Sequence, residues 1–395
     1  MIDKPPHKHK TIAFIGSKGF YSEYGGVEKI VYQISTALSV WFDVIVYGNI
    51  QYRDDETLPG AAVTVRDLSL PKVKLFGAAT LAFFSTILAL RGKTDLYYFH
   101  ACGPGFFSFI PRLLAKKVVW HFHGRDYRRA LAAMKRKGSL NYCSKVKQIL
   151  RYIFLKLGEV IAVCCAHRVL VLGSSNLNYL IRSYPRFRKK FIPVDNYVQL
   201  VQIEDLELIL SCGMQKNKFL LSVSRLVPEK RIDLLIEAFQ RIKKNCPELS
   251  LAIIGEGEEE KRLQRMAMND SRIKFLGARP HSQMFTFYKN ALLFCLCSTI
   301  EGQSLSLLEA MSCGCPCLVS NISETAEIGS ESLFLFQAND VDDLTNSLLK
   351  IIKNSEDRKE KRSNATEMFN KKFSPAKSLG IIKTELDALL EDFFL

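Results

Sequence analysis

The residues of this chain whose types and spacing can do chemistry gather in two short stretches, Ser224-Arg225-Leu226-Val227-Pro228-Glu229-Lys230 and Glu301-Gly302-Gln303-Ser304-Leu305-Ser306-Leu307-Leu308-Glu309. The second follows the apolar run 291–297 and reads as a buried strand, a small-residue loop and the first turns of a helix. One carboxylate lies on the loop and the other inside the helix. N–H groups at a helix start have no intrahelical acceptor and sit at the positive end of the dipole, so those near Ser304, Leu305 and Ser306 suit a phosphate. Arg225 offers a bidentate fork, and Lys230 a compact charge one loop later. Lys230 and Arg231 also fall near a helix N-terminus, where the dipole disfavours cations, and an anionic ligand would relieve that misfit. A surface salt bridge from Lys230 to Glu229 is the alternative. Arg225, Lys230 and these N–H groups together can stabilise a departing diphosphate without a metal.

A second group lies earlier. His100 and His123 close two predicted strands, 95–100 and 118–123, and ligands of open α/β sheets bind beyond the carboxyl ends of strands. His123 is followed by Gly124, which favours a functional reading. His121 is expected to point the other way along its strand and to be structural. Metal chemistry is not expected. Cys313, Cys315 and Cys317, with Cys295 and Cys297 nearby, have C-x-C spacing and read as small apolar residues beside a strand. Asp340-Val341-Asp342-Asp343 fits a helix N-terminus ahead of Leu344.

The elements that must hold these residues alternate between strand and helix. Strand 11–15, the glycine-bearing loop 16–26 and helix 27–38 open a nucleotide-type α/β domain. Strands follow at 43–47, 62–67, 95–100, 118–123 and 169–172, with a helix at 174–183, and 191–198 leads out of the domain. Residues 199–217 read as a linker. The pattern restarts with strand 219–223, a helix from near Glu229 to Asn245, strand 250–254, helix 258–268, strand 273–276 and helix 282–288. Strand 316–320 and helices 341–353, 361–371 and 378–394 complete it. The fold class is therefore α/β, two doubly wound Rossmann-like domains facing one another across a cleft. The expected division is 1–200, 201–372 and a closing segment, 373–395.

At 395 residues, 48% hydrophobic and 24% charged, the chain is globular and long enough for two cores. Its net charge of +15 is uneven: residues 1–200 hold 30 Lys and Arg against 12 Asp and Glu. Arg112 to Lys156 carries 13 basic side chains and one acid, Asp126. Such a patch attracts an anionic membrane, a nucleic acid or a diphosphate-bearing acceptor. No zinc finger, RNP aromatic pattern or heptad zipper accompanies it, so no nucleic-acid partner is expected. Eleven scattered cysteines fit a reduced, cytoplasmic compartment. Residues 75–90 form an uncharged run of sixteen, short of the about 20 residues a spanning helix needs, and read as a core or interfacial helix. Peripheral association with the inner face of the cell membrane is the expectation.

Gly25-Gly26-Val27-Glu28, His123-Gly124, Ser224-Arg225-Leu226 with Lys230, and Glu301 with Glu309 in E-x7-E spacing together resemble the retaining family 4 glycosyltransferases of the GT-B fold. The likeness runs from Thr11 to the last helix. The opening loop and Leu157-Gly158-Glu159 resemble a subgroup of bacterial surface-polysaccharide glycosyltransferases. The resemblance implies a hexose moved with retention from a UDP- or GDP-linked donor to a lipid-linked saccharide, the nucleotide sugar being a co-substrate and no cofactor being needed. A soluble acceptor, a nucleic-acid-binding protein and a sugar-nucleotide sensor are the alternatives. It further implies that Glu309 holds the ribose and that Arg225 and Lys230 hold the diphosphate. Glu301 falls near the donor sugar and His123 near the reacting centre. Gly25 and Gly26 lie where the first domain's loop approaches donor phosphates or acceptor, and the last helix crosses back to the first domain. Gln303-Ser304-Leu305-Ser306 and Ile192-Pro193-Val194-Asp195-Asn196 depart from the usual patterns after the first glutamate and at the hinge.

Overall fold

Strands buried on both faces read as near-continuous apolar runs, and among the described residues thirteen strands, most of them so buried, build two parallel sheets. The computed structural model describes residues 10–20, 25–52, 62–71, 77–135, 142–268 and 270–391. The tail 1–9, the first residues of the 75–90 run, residues 136–141 of the basic stretch and residues 392–395 of the closing helix lie outside them. The first unit comprises Met1–Asp195 and Ala376–Leu395, the second Asn196–Pro375.

In the first unit, Thr11–Ile15 (β1), Asp43–Asn49 (β2), Val63–Leu68 (β3), Leu96–His100 (β4), Lys117–Phe122 (β5), Arg168–Leu172 (β6) and Phe191–Val194 (β7) pair in the order β3-β2-β1-β4-β5-β6-β7. In the second, Phe219–Val223 (β8), Ser250–Ile254 (β9), Ile273–Phe275 (β10), Leu293–Leu296 (β11), Cys317–Ser320 (β12) and Phe334–Phe336 (β13) pair in the order β10-β9-β8-β11-β12-β13. Each sheet reverses direction of growth once, between β1 and β4 and between β8 and β11. Those two switch points are where a doubly wound sheet opens a crevice at its carboxyl edge.

Alternation along the strands splits the second core between the two faces of its sheet. Phe219 and Leu221 pack in one apolar cluster with Ala252 and Ile254, while Leu220 packs in the other with Leu251 and Ile253. The helix Val341–Lys353 begins where its cap dictates, Asp340 accepting from the N–H groups of Asp342 and Asp343.

Several elements differ from the sequence expectations. Residues 199–217 are not a bare linker: Asp205 caps a helix, Leu206–Ser211, and its own N–H donates to Thr286 Oγ1, while Ile209 and Met214 are buried in the second core. The helix expected from near Glu229 is a single turn, Pro228–Lys230, then a break at Arg231, whose φ of 49° is left-handed, then Ile232–Arg241. The basic stretch contains the helices Tyr127–Lys135 and Tyr142–Cys165, the latter extending nine residues beyond Lys156. β13 and the first turns of the helix Ser355–Lys372 were not expected; Asn354 caps that helix on the N–H of Asp357. The closing helix, Pro375–Glu391, is tied to the first unit by Arg168 Nε donating to Glu385 Oε2 at 2.7 Å and by Lys383 lying over the Trp41 ring.

A buried polar cluster fixes the rotation of the helix Tyr142–Cys165. Glu159, fully buried, accepts through Oε1 from Lys156 Nζ at 2.6 Å and from the hydroxyls of Tyr179 and Tyr184 at 2.7 Å each. Tyr127 donates to the Tyr179 hydroxyl. A buried carboxylate is tolerated when its charge is met in this way, and the cluster ties the helix Ser174–Ser183 to its neighbour.

Candidate functional site

In the second unit the candidate residues converge at the switch point. After β8 the chain turns through Ser224–Arg231, and after β11 through Ser298–Ser304. The first loop is held from behind: the N–H of buried Leu226 donates to Glu256 O at 2.8 Å, and Gly255, at φ +128°, lies so close that a Cβ there would be 1.9 Å from Ser224 O. Only glycine fits both the angle and the approach. The two loops are joined by the N–H of Thr299, which donates to Glu229 O at 2.8 Å.

That join brings Lys230 Nζ to 2.5 Å from Glu301 Oε1, with the two side chains only 12% and 7% exposed. Lys230 is therefore paired with the first glutamate of the E-x7-E element and not with Glu229. Arg231 pairs with Asp233 instead. Arg225 is exposed and makes no ion pair with a described residue, so its fork is open to a ligand.

Ser304 precedes the helix Leu305–Ser312 in an extended conformation, and its side chain makes no capping hydrogen bond. The first intrahelical bond runs from the Leu308 N–H to Ser304 O, so the donors of Leu305, Ser306 and Leu307 have no acceptor within the helix. Gln303 is spent elsewhere, its Oε1 accepting from the Asn196 N–H at 2.5 Å and its carbonyl from Asn196 Nδ2 at 3.0 Å. This clamp anchors the first residue of the second unit.

Glu309 is 2% exposed. Tyr288 donates its hydroxyl to Oε2 at 2.9 Å, and His281 Nε2 lies 3.3 Å from Oε1. Burial first, then the neighbouring carboxylate, push the Tyr288 phenol well above its ordinary range, so it remains a donor. Sequence reasoning missed both Tyr288 and His281. Neither has a local signal, since both reach Glu309 from another helix.

In the first unit, the register of β4 against β5 sets His100 opposite His121, and two-residue periodicity puts His121 and His123 on the same side. The expectation that His121 points away is corrected: its ring stacks on His123 at 4.4 Å between centroids. His123 itself lies just beyond the end of β5. His100 Nδ1 is 3.0 Å from His123 Nε2, and the Tyr98 hydroxyl is 3.1 Å from His121 Nδ1. Burial pushes all three imidazoles down, His123 to about 3, so they are neutral. His100 Nε2, His121 Nε2 and His123 Nδ1 are each buried without a hydrogen-bond partner. Nitrogens of the three rings come within 4.8 Å of one another, but the planes are stacked or tilted by 15° to 31°. The His100–His123 and Tyr98–His121 hydrogen bonds tie β4 to β5 and the residue beyond it. Gly16 keeps the β1 loop against it: at φ +118°, a Cβ would fall 2.6 Å from His100 O. Gly25 precedes the helix Gly26–Leu38 in an extended conformation, and Gly26 is exposed.

Residues 213–368, which carry the Ser224–Lys230 and Glu301–Glu309 stretches, match the family described as glycosyl transferases group 1. An uncharacterized glycosyltransferase of Haemophilus influenzae is 32% identical to this chain over 148 residues, 36% of the chain. The match spans only 41% of that relative's length. A UDP-Gal:alpha-D-GlcNAc-diphosphoundecaprenol alpha-1,3-galactosyltransferase of Escherichia coli is 29% identical over 282 residues, 67% of this chain and 68% of the relative. The crystal structure of Anabaena HepE in complex with UDP and glucose superposes with a TM-score of 0.75 at 18% identity, covering 96% of this chain and all of that one. That likeness and the two parallel sheets identify the fold as GT-B.

Proposed function

We propose that this protein is a glycosyltransferase that moves a hexose, with retention of configuration, from a UDP- or GDP-linked donor to a lipid-linked saccharide in polysaccharide biosynthesis. The observation that carries the reading is the Lys230–Glu301 pair at the second switch point, with exposed Arg225 on the same loop as Lys230 and an uncapped helix start just after Glu301. These groups match a diphosphate whose charge grows as the sugar–oxygen bond breaks. Arg225 and Lys230 take that charge and no metal is needed. Glu301 holds Lys230 in place and faces the donor sugar, and Glu309 takes the ribose hydroxyls. In a front-face displacement the leaving phosphate oxygen accepts the acceptor's proton while the new glycosidic bond forms on the face the diphosphate vacates. Neutral His123, whose Nε2 is hydrogen-bonded to His100 Nδ1, serves the sugar as a hydrogen-bond partner. Gly25 and Gly26 permit close approach of donor phosphate or acceptor. The name of the Escherichia coli relative supports a lipid-diphosphate acceptor, and the HepE complex supports a uridine nucleotide. The work is done at the inner face of the cell membrane, to which the chain attaches peripherally.

A thermal-shift screen of nucleoside diphosphates and their sugars identifies the donor, since a ligand of the folded state alone raises the melting temperature. NMR of the product then reads its anomeric configuration. An inverted product rejects the mechanism, and no stabilisation by any nucleotide sugar rejects the donor site. Glu309→Ala is expected to weaken nucleotide binding about tenfold or more, because hydrogen bonds to a charged group contribute roughly 1.5–3 kcal/mol. Calorimetry with the identified nucleoside diphosphate checks this, and unchanged affinity removes Glu309 from the ribose.

A further inference from the structure

The helix Tyr142–Cys165 turns an apolar face outward. Val146, Ile149, Leu150, Ile153, Leu157 and Val160 are each between 36% and 49% exposed. At about 100° per residue they fall within an arc roughly 100° wide, a single stripe along the helix. The opposite side holds Glu159 and Ala162, both fully buried. The Glu159 cluster with Lys156, Tyr179 and Tyr184 locks that orientation, so the stripe does not roll inward. The surface continues beyond the helix. Phe154 meets Phe106 at 5.2 Å, and Phe107 meets the exposed Phe83 at 5.6 Å, while Leu113 and Leu114 are 79% and 57% exposed. A contiguous exposed apolar area of this kind marks an interaction surface.

Charge identifies the occupant. Lys145 and Lys147 are exposed and lie on either side of the stripe, and Arg151 is exposed beyond Lys147. Glu159 is the only acid of this helix, and it is buried and already bonded. We infer that the stripe of the helix Tyr142–Cys165 lies in the headgroup boundary of an anionic lipid bilayer, with its apolar side chains inserted and Lys145, Lys147 and Arg151 on the lipid phosphates. An amphipathic helix with basic flanks binds in that plane by apolar burial together with attraction to anionic lipid. A second copy of the chain is the poorer occupant, because a symmetric contact would bring these three cations near their own copies with no exposed acid on the helix to pair them. No helix of the described residues is long and apolar enough to cross a membrane, so the surface rests on the bilayer.

This deepens the reading above by naming where a lipid-linked acceptor is met, and it is tested without donor or acceptor. The full chain is floated with extruded vesicles of phosphatidylcholine, with or without phosphatidylglycerol, and compared with Ile149→Ser/Ile153→Ser and Lys145→Glu/Lys147→Glu variants. The expected result is binding to the anionic vesicles at least tenfold tighter than to the neutral ones, weakened at least tenfold by either double substitution. The circular-dichroism melt should remain unchanged. Absence of binding to anionic vesicles overturns the inference, as does undiminished binding of the isoleucine variant. Self-association of the wild type that the isoleucine variant abolishes, without vesicle binding, reassigns the face to a contact between copies. A chain that floats with anionic vesicles but transfers no sugar keeps this surface and loses the proposed activity.

Discussion

Replacing Lys230 by alanine is expected to lower kcat for transfer by about 10²–10³-fold, the loss seen when one preorganised donor to a developing anion is removed. Lys230 is 12% exposed and held at 2.5 Å by a carboxylate that is 7% exposed, so its charge acts in a medium that screens poorly. Its position is fixed before substrate arrives, by the tie between the Thr299 N–H and the Glu229 carbonyl. Two effects need separating. Removing Lys230 alone leaves Glu301 as an uncompensated, nearly buried carboxylate, which costs roughly 3–5 kcal/mol of stability by itself. The paired substitution Lys230→Met/Glu301→Gln removes both charges and is expected to recover most of the melting temperature while activity stays low. Release of nucleoside diphosphate from the stabilising sugar nucleotide, measured beside a thermal melt, resolves the two. A Lys230→Ala enzyme within threefold of wild-type kcat would take Lys230 off the leaving group.

The sequence was informative where structure is local. Parallel strands buried on both faces leave apolar runs, and those runs locate most of both sheets to within a residue or two. The helix Val341–Lys353 was legible at both ends because Asp340 caps it and its apolar residues recur on one face. Glu301 and Glu309 fell on loop and helix as their neighbours required. What was hidden depends on strand order. Lys230 and Glu301 are 71 residues apart, and they meet only because β8 and β11 are adjacent. Tyr288 and His281 reach Glu309 from a helix that periodicity marks as ordinary core packing. The break at Arg231 was invisible because a left-handed arginine is uncommon and carries no signature. His121 is a different case: alternation along a strand already places residues 121 and 123 on one side, so its placement was available from the sequence alone.

Acidification from pH 7.5 towards 5.5 is expected to destabilise the first unit steeply and the second much less. His100, His121 and His123 are all held neutral by burial, and His167, near Arg112 and Lys117, is pushed down to about 4 by burial and then by those cations. The sign follows from proton counting. A histidine whose folded value is lowered stays neutral in the folded chain but takes up a proton near 6.5 once unfolded, so its stabilising effect is complete above 6.5 and is lost as pH falls towards the folded value. Each such group contributes about 1.4 kcal/mol per pH unit, so the three stacked rings alone approach a slope on the order of 4 kcal/mol per unit below 6.5. The cluster resists protonation because each ring faces an aromatic or another imidazole: Phe14 and Tyr98 lie against His100, and His123 lies against both other histidines. A cation there would have no counter-charge, and a second would repel the first. Urea unfolding between pH 7.5 and 5.5, followed by circular dichroism, measures the slope as protons taken up. The window ends above the carboxylate range, and the second unit, which contains none of these four residues, supplies the internal reference. His121→Phe is expected to reduce the slope by about one proton while keeping a stacked ring. A first-unit midpoint that stays flat to pH 5.5 would mean that the rings charge in place and are not held neutral by burial.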